Sequence, residues 1–235
     1  MKKFEAILFD MDGTLLPMEY EAFSRGYLSM LAAEVAPLGY TPDGLIGAMW
    51  KGVGAMVKND GTRTNADAFW ATFASILGEK TLADIPHFDA FYSGKFREAA
   101  RFTMPTPLAG EIVKAAREKA DRVILATNPL FPRVAQLARL SWAGLDETDF
   151  DLVTDYENSR FCKPNPKYYL EIAEKCGFDP KNALMIGNNA EEDVRAAQAA
   201  GMEAWLATDC LIAEGPIPPC VEGTLGDLCD KLEAL

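Results

Sequence analysis

The chain opens on a short apolar run, FEAILF at residues 4–9, that stops at Asp10. Similar runs recur far downstream: RVILAT at 122–127, FDLVT at 150–154, ALMIG at 183–187 and a shorter EAWLA at 203–207. Continuous apolar runs of this length, mostly bounded by polar residues or glycine, fit strands buried on both faces of a parallel sheet. Before and between the later runs the period changes to that of a helix, in LAGEIVKAAREKA, PRVAQLARLSWAG, PKYYLEIAEKCG and EEDVRAAQAAG. Strand alternating with helix predicts right-handed crossovers and an open α/β sheet with helices on both faces.

The interval between the first two runs breaks that rhythm, because residues 17–101 are helical in period throughout. Its helix patterns are EYEAFSRGYLSMLAAEV, PDGLIGAMWKGV, ADAFWATFASILG and FDAFYSGKFREAARF, bounded by Leu16-Pro17 and by MPTP at 104–107. The simplest organisation is an α/β core domain of residues 1–16 and 102–235, with a small all-helical cap domain, residues 17–101, inserted after the first strand. Phe69, Trp70, Phe73, Ile76 and Leu77 follow helical spacing, which marks them as cap core and not as a ligand box. Gly52 and Gly54 each weaken a helix by up to ~1 kcal/mol, a hint of a bend or a close approach. Arg25, Lys51 and Lys58 are cap cations available to an anion, although surface charge is ordinarily solvated.

Composition narrows the function. The 235 residues are 49% hydrophobic and 25% charged, which suits a soluble core and not a disordered segment. A formal net charge of −12 argues against nucleic acid as a partner, since phosphate-backbone binding needs a basic face. The first apolar run is too short for a signal-peptide core or a membrane span, so a cytoplasmic location with no membrane partner is expected. Cys162, Cys176, Cys210, Cys220 and Cys229 form no C-x-x-C pair, and His87 is the single histidine. Disulfide frameworks, zinc sites and histidine triads are thereby not signalled.

The ends of the predicted strands carry the polar residues. In LFDMDGTL, Asp10 and Asp12 stand two apart where the first predicted strand runs into a turn, so both carboxylates can face the carboxyl edge of the sheet. Two close carboxylates repel one another, and a bound cation relieves that repulsion. RVILAT ends at Thr127-Asn128, offering a hydroxyl and backbone N–H groups; a plain helix cap explains the same residues. FCKPNPKYY places Lys163 before a proline, which disfavours the helical conformation there. ALMIG runs into Gly187-Asn188, with Asp193 one helical turn on, and Asn189 with Glu192 reads as a capping-box-like helix start.

Taken together, four successive strand ends supply two acids, a threonine, a lysine, and an asparagine with an acid. In DMDGT, Thr127-Asn128, Lys163-Pro164 and GNNAEED the chain resembles the haloacid dehalogenase (HAD) superfamily along its whole length. The resemblance implies a Rossmann-like core with the helical insertion as its cap, and a magnesium-dependent phosphatase acting on a small phosphorylated metabolite. By the same resemblance Asp10 is the nucleophile and Asp12 the general acid and base. Thr127, Asn128 and Lys163 bind the phosphoryl group, and Asp10, Asp12 (through its carbonyl), Asn188 and Asp193 form the Mg2+ site.

One position departs from the family pattern. The family commonly has an aspartate where Asn188 stands, and the loss of that charge implies weaker metal binding. Three readings remain open: phosphatase, phosphosugar mutase, or a weakly active protein of the same fold that binds a phosphorylated ligand. Asp12 favours phosphate esters over dehalogenation, because a dehalogenating relative typically lacks an acid there. The sequence identifies neither the substrate nor the oligomeric state.

Overall fold

The structure is a computed structural model that describes residues 3–235. Its strands are β1 (Phe4–Phe9), β2 (Ala120–Leu125), β3 (Leu152–Val153), β4 (Ala183–Gly187), β5 (Glu203–Ala207) and β6 (Val221–Gly223). They form one sheet in the order β3-β2-β1-β4-β5-β6, with every neighbouring pair parallel. The chain builds outward from β1 to β3 and returns to the other side of β1 at β4. The order therefore reverses between β1 and β4, and open α/β sheets place their ligand crevice outside the carboxyl ends of such strands.

Both faces of the sheet are covered, as the unbroken apolar runs require. Ile7 and Phe9 of β1 and Leu184 and Ile186 of β4 enter one core, while Ala6, Leu8, Ala183 and Met185 enter the other. Alternation of two per strand thus feeds two apolar layers. The helices of the α/β unit are α5 (Leu108–Lys119), α6 (Arg133–Trp142), α7 (Pro166–Cys176), α8 (Ala196–Ala199) and α9 (Leu225–Glu233).

Between β1 and α5 lie α1 (Tyr20–Val35), α2 (Pro42–Val57), α3 (Asn65–Leu77) and α4 (Lys80–Ser93), followed by a 3-10 stretch, Lys95–Phe102. The chain leaves and re-enters the α/β unit at one place. Met18 and Thr103 form an isolated antiparallel bridge, and the Met104 N–H donates to the Pro17 carbonyl at 2.8 Å. Phe23 and Phe96 then pack on Trp142 of α6, at ring distances of 6.4 and 5.2 Å, so the helical segment shares the core on that face of the sheet.

Several sequence expectations are adjusted. The strand expected at 122–127 lies two residues earlier as β2, and the one expected at 150–154 shortens to β3, because their last residues turn away at the site edge. The expected helix at 88–102 divides at Gly94, where α4 ends and the backbone tightens to 3-10. Strand β6 and helix α9 were not expected, since VEG is too short to register as an apolar run. All five cysteines are free, and among the described residues no helix is long and apolar enough to cross a membrane.

Candidate active site

The ladder carries Asp10 to the sheet edge. Its N–H donates to the Ile186 carbonyl of β4 at 2.9 Å, extending the β1 pairing by one residue. A tight turn follows, in which the Thr14 and Leu16 N–H groups both donate to the Met11 carbonyl, at 3.1 and 2.8 Å. Gly13 has φ 88°, and a β-carbon there would lie 2.3 Å from the Asn188 side chain. Glycine is required on both counts, conformation and space.

Lys163 forms the floor of the site. Its side chain is fully buried, and the ammonium donates to Asp10 Oδ1 at 2.8 Å and to Asp193 Oδ1 at 2.6 Å. Burial alone lowers a lysine pKa, but these two carboxylates more than offset it and hold the ammonium charged. For Asp193, burial outweighs the pull of Lys163 and pushes the carboxyl up. Its second oxygen accepts from the Asn189 N–H at 2.9 Å.

Asp193 faces inward because residues Ala190–Arg195 form a π-helix, with both the Asp193 and Val194 N–H groups donating to the Asn189 carbonyl. Such a turn inserts a residue and re-aims those beyond it, and it recurs at functional sites. A β-carbon on Gly187 would strike the Asp193 carboxylate at 2.3 Å. In this structure both oxygens of Asp193, expected as a metal ligand, are hydrogen-bonded, and the side chain anchors Lys163. The capping-box expectation is corrected here. Asn189 does cap the turn, accepting from the Glu191 and Glu192 N–H groups, but Asp193 and not Glu192 returns to the Asn189 backbone.

Asn188 is well fitted as an amide. Its Nδ2 donates to the Cys210 carbonyl at 2.6 Å, while Oδ1 accepts from Thr14 Oγ1 at 3.2 Å. That hydroxyl also lies 3.5 Å from Asp10 Oδ2. An aspartate would set an oxygen against the Cys210 carbonyl, whereas the amide turns its oxygen toward the nucleophile side. This set, the Asp10 carboxylate, the Asp12 backbone carbonyl and the Asn188 amide oxygen, consists of the hard oxygen donors that magnesium prefers. The residues fit the ion with one negative charge fewer. Among the described residues no cluster of three or more His, Cys, Asp or Glu is arranged to hold a metal.

Asp12 has a partner that sequence reading did not find. Arg139 of α6, with no exposed side-chain surface, forms an ion pair with Asp12 Oδ2 and a second contact with Gln136 Oε1. Burial pushes the Asp12 carboxyl up, Arg139 pulls it down and neighbouring Asp10 pushes it up again, for a net rise. Asp12 Oδ1, Arg139 Nε and Gln136 Nε2 are buried without a hydrogen-bond partner. A faint signal existed in the sequence. Gln136 and Arg139 interrupt the buried face that α6 otherwise makes from Ala135 and Leu140.

These groups meet at a cavity of about 280 Å³ whose lining includes Asp10, Asp12, Thr127, Asn128, Asn188, Asn189, Glu192 and Asp193. Thr127 is buried and its carbonyl accepts from Thr154 Oγ1 and the Tyr168 hydroxyl, each at 2.8 Å, which fixes the backbone at the end of β2. Asn128 donates to Glu192 Oε2 at 3.0 Å. Burial pushes Glu192 up, with Asp10 adding to the rise. All seven site residues expected from sequence thus meet at one edge, with Lys163 just beneath the lining. Thr14, Gln136, Arg139 and Glu192 join them. Arg25, Lys51 and Lys58 are exposed and do not line the cavity.

The chain is similar to known proteins in sequence and in fold. A phosphoglycolate phosphatase of Escherichia coli O157:H7 is 29% identical over 216 residues, covering 86% of this chain and 81% of the relative. Among solved structures, a 2-haloacid dehalogenase from Pseudomonas syringae pv. Tomato DC3000 superposes with a TM-score of 0.64 at 20% identity, covering 98% of each chain. The HAD-hydrolase YfnB from Bacillus subtilis, bound to magnesium, gives 0.61 at 19% identity, covering 98% of this chain and 99% of its own. The model of the haloacid dehalogenase-like hydrolases matches residues 4–201. This chain therefore belongs to the haloacid dehalogenase-like hydrolase family and is an enzyme of that hydrolase class.

Proposed function

We propose that this hydrolase is a magnesium-dependent phosphatase that acts on a small phosphorylated metabolite through an aspartyl-phosphate on Asp10, with residues 17–101 as its cap. One observation carries the reading. Two carboxyl groups two residues apart line one cavity, Asp10 bound to the Lys163 ammonium and Asp12 half-buried and pushed toward its protonated form. That is the division of labour a nucleophile and a general acid need.

Asp10 Oδ1 is committed to Lys163, so Oδ2 attacks phosphorus. The bond from phosphorus to the leaving oxygen breaks as Asp12 delivers its proton to that oxygen. Asp12, now ionised beside Arg139, takes a proton from water as the water oxygen attacks the phosphoryl group, which frees phosphate and restores Asp10. The Thr127 hydroxyl and the backbone N–H groups near Asn128 bind the phosphoryl oxygens, and Lys163 adds a fixed charge whose effect is largest in a closed site. Magnesium, when bound by Asp10, the Asp12 carbonyl and Asn188, would neutralise phosphoryl charge so that a carboxylate can approach. Asp193 serves the centre through Lys163.

The curated phosphatase relative supports this chemistry over dehalogenation, as does an acid at position 12. The magnesium in YfnB supports the ion, and the isolated bridge between Met18 and Thr103 supports the division into core and cap. The test is phosphate release from a panel of phosphate monoesters with magnesium and with chelator, beside Asp10→Asn. Activity that needs magnesium and disappears in the variant is expected. Equal rates in the two proteins would remove Asp10 from the role.

A further inference from the structure

The polar floor of the site is only half of the cavity. Its upper wall is Tyr20, Leu130, Phe131 and Ile212. Tyr20, Leu130 and Phe131 also line an adjoining cavity of about 40 Å³ that continues among the aromatic side chains of the helical segment, and none of its lining residues is charged. Trp50 stands in that lining with 47% of its surface exposed, and Tyr20, which belongs to both linings, is 46% exposed. Large aromatics left this open beside an apolar recess are placed to contact something that enters it.

The ionisable side chains in the cavity lining are all acids. Asp10, Asp12, Glu192 and Asp193 line it, and among the described residues no lysine or arginine does. The two cations nearby are already committed. Lys163 is shared between Asp10 and Asp193, and Arg139 is fully buried on Asp12, with its guanidinium 4.2 Å from the Phe131 ring centroid. Arg25 pairs with Glu21 at the surface. A phosphoryl group would meet Lys163 and the metal, but a second anionic group on the same substrate would meet carboxylates and aromatic rings.

Resting on the phosphatase reading above, we infer that the substrate is a phosphate monoester whose alcohol part is uncharged and apolar, about the size of a single ring, and that it seats on Tyr20, Leu130 and Phe131 with Trp50 at the rim. The cavity size agrees. At about 280 Å³ it falls just below the ~300–1,000 Å³ typical of small-molecule pockets, and the phosphoryl group takes its share. An alcohol that carries a carboxylate, as 2-phosphoglycolate does, is disfavoured, because the lining offers that second anion no uncommitted cation to pair with.

The experiment compares benzyl phosphate with 2-phosphoglycolate. Both are primary alkyl esters, so recognition and not leaving-group ability dominates the difference. 4-Nitrophenyl phosphate, whose activated leaving group departs readily, serves only to report whether Asp10-dependent phosphoryl transfer occurs. A kcat/KM for benzyl phosphate on the order of 100-fold above that for 2-phosphoglycolate is expected. Trp50→Ala should lower kcat/KM for benzyl phosphate roughly tenfold, a larger loss than for 2-phosphoglycolate. Leu130→Lys should narrow the gap between the two substrates by raising turnover of the carboxylate. Asp10-dependent hydrolysis of the nitrophenyl ester combined with a preference for 2-phosphoglycolate would overturn the inference and leave the phosphatase reading standing. Absence of Asp10-dependent hydrolysis of all three esters would overturn both.

Discussion

The two halves of the candidate site each bury one cation, and they hold it in opposite ways. On the Asp10 side Lys163 lies between two carboxylates, and both oxygens of Asp193 are hydrogen-bonded. On the Asp12 side Arg139 meets one carboxylate, and three polar atoms of Asp12, Arg139 and Gln136 have no partner. The first arrangement is saturated and suits a group that must stay still, the nucleophile. The second leaves Asp12 Oδ1 unbonded beside a cation, which suits a carboxyl that must gain and lose a proton in each cycle. Fixed charge positions one acid, while burial against charge tunes the other.

The largest effect should come from breaking the saturated half. Lys163→Met leaves two carboxylates buried without a cation, and removal of one partner from such a network costs about 3–5 kcal/mol. Urea unfolding should register that loss, and activity should vanish. Adding Asp193→Asn should recover part of the stability without recovering activity. Arg139→Met should behave differently, because Asp12 keeps some access to solvent through the cavity. Its stability loss should be nearer ~1–3 kcal/mol, while turnover falls on the order of 10²–10⁴-fold, the usual contribution of a general acid. Equal stability losses in the two variants, or unchanged turnover in Arg139→Met, would break the contrast.

Asn188 sharpens it further. Asn188→Asp sets a carboxylate oxygen against the Cys210 carbonyl, so melting without magnesium should show a loss of about 1–3 kcal/mol. Magnesium should reverse that loss, with an affinity roughly tenfold tighter than that of the parent chain. Unchanged metal affinity would remove residue 188 from the ligand set. The smallest effect lies at the far end of the helix that carries Arg139. There Glu157 accepts from the Arg133 N–H at 2.9 Å, and partial desolvation, with Asp155 adding to it, pushes its carboxyl up from 4.5 to about 7. The folded chain binds that proton more tightly than the unfolded chain, so stability falls as pH rises from 4.5 to about 7 and stays lower above. Glu157→Gln should raise the melting temperature slightly at about pH 8 and leave it unchanged at about pH 4.

The legible part of this molecule is what lies next to a strand in sequence. Asp10, Thr127 and Asn188 follow the apolar runs of β1, β2 and β4, and a parallel sheet brings such ends together without further information. Lys163 was legible only as a member of the ordered set, since nothing local distinguishes it from a surface lysine. Arg139 reaches Asp12 across 127 positions, a pairing with no local signature beyond a charged residue on the buried face of α6. The position of Asp193 was legible and its partner was not, because a π-turn and not a regular helix decides where it points. Strand β6, only Val221–Gly223, is held by its pairing with β5 and not by its own hydrophobicity.

The central claim, that Asp10 is the nucleophile, is tested most directly by acid-quenched mass spectrometry of the Asp12→Asn variant mixed with magnesium and 4-nitrophenyl phosphate. Expected is a peptide containing Asp10 heavier by about 80 Da, the mass of one phosphoryl group, and absent when Asp10→Asn is added. Phosphoryl transfer to any other residue, or nitrophenol release with an unmodified Asp10 peptide, would contradict the account.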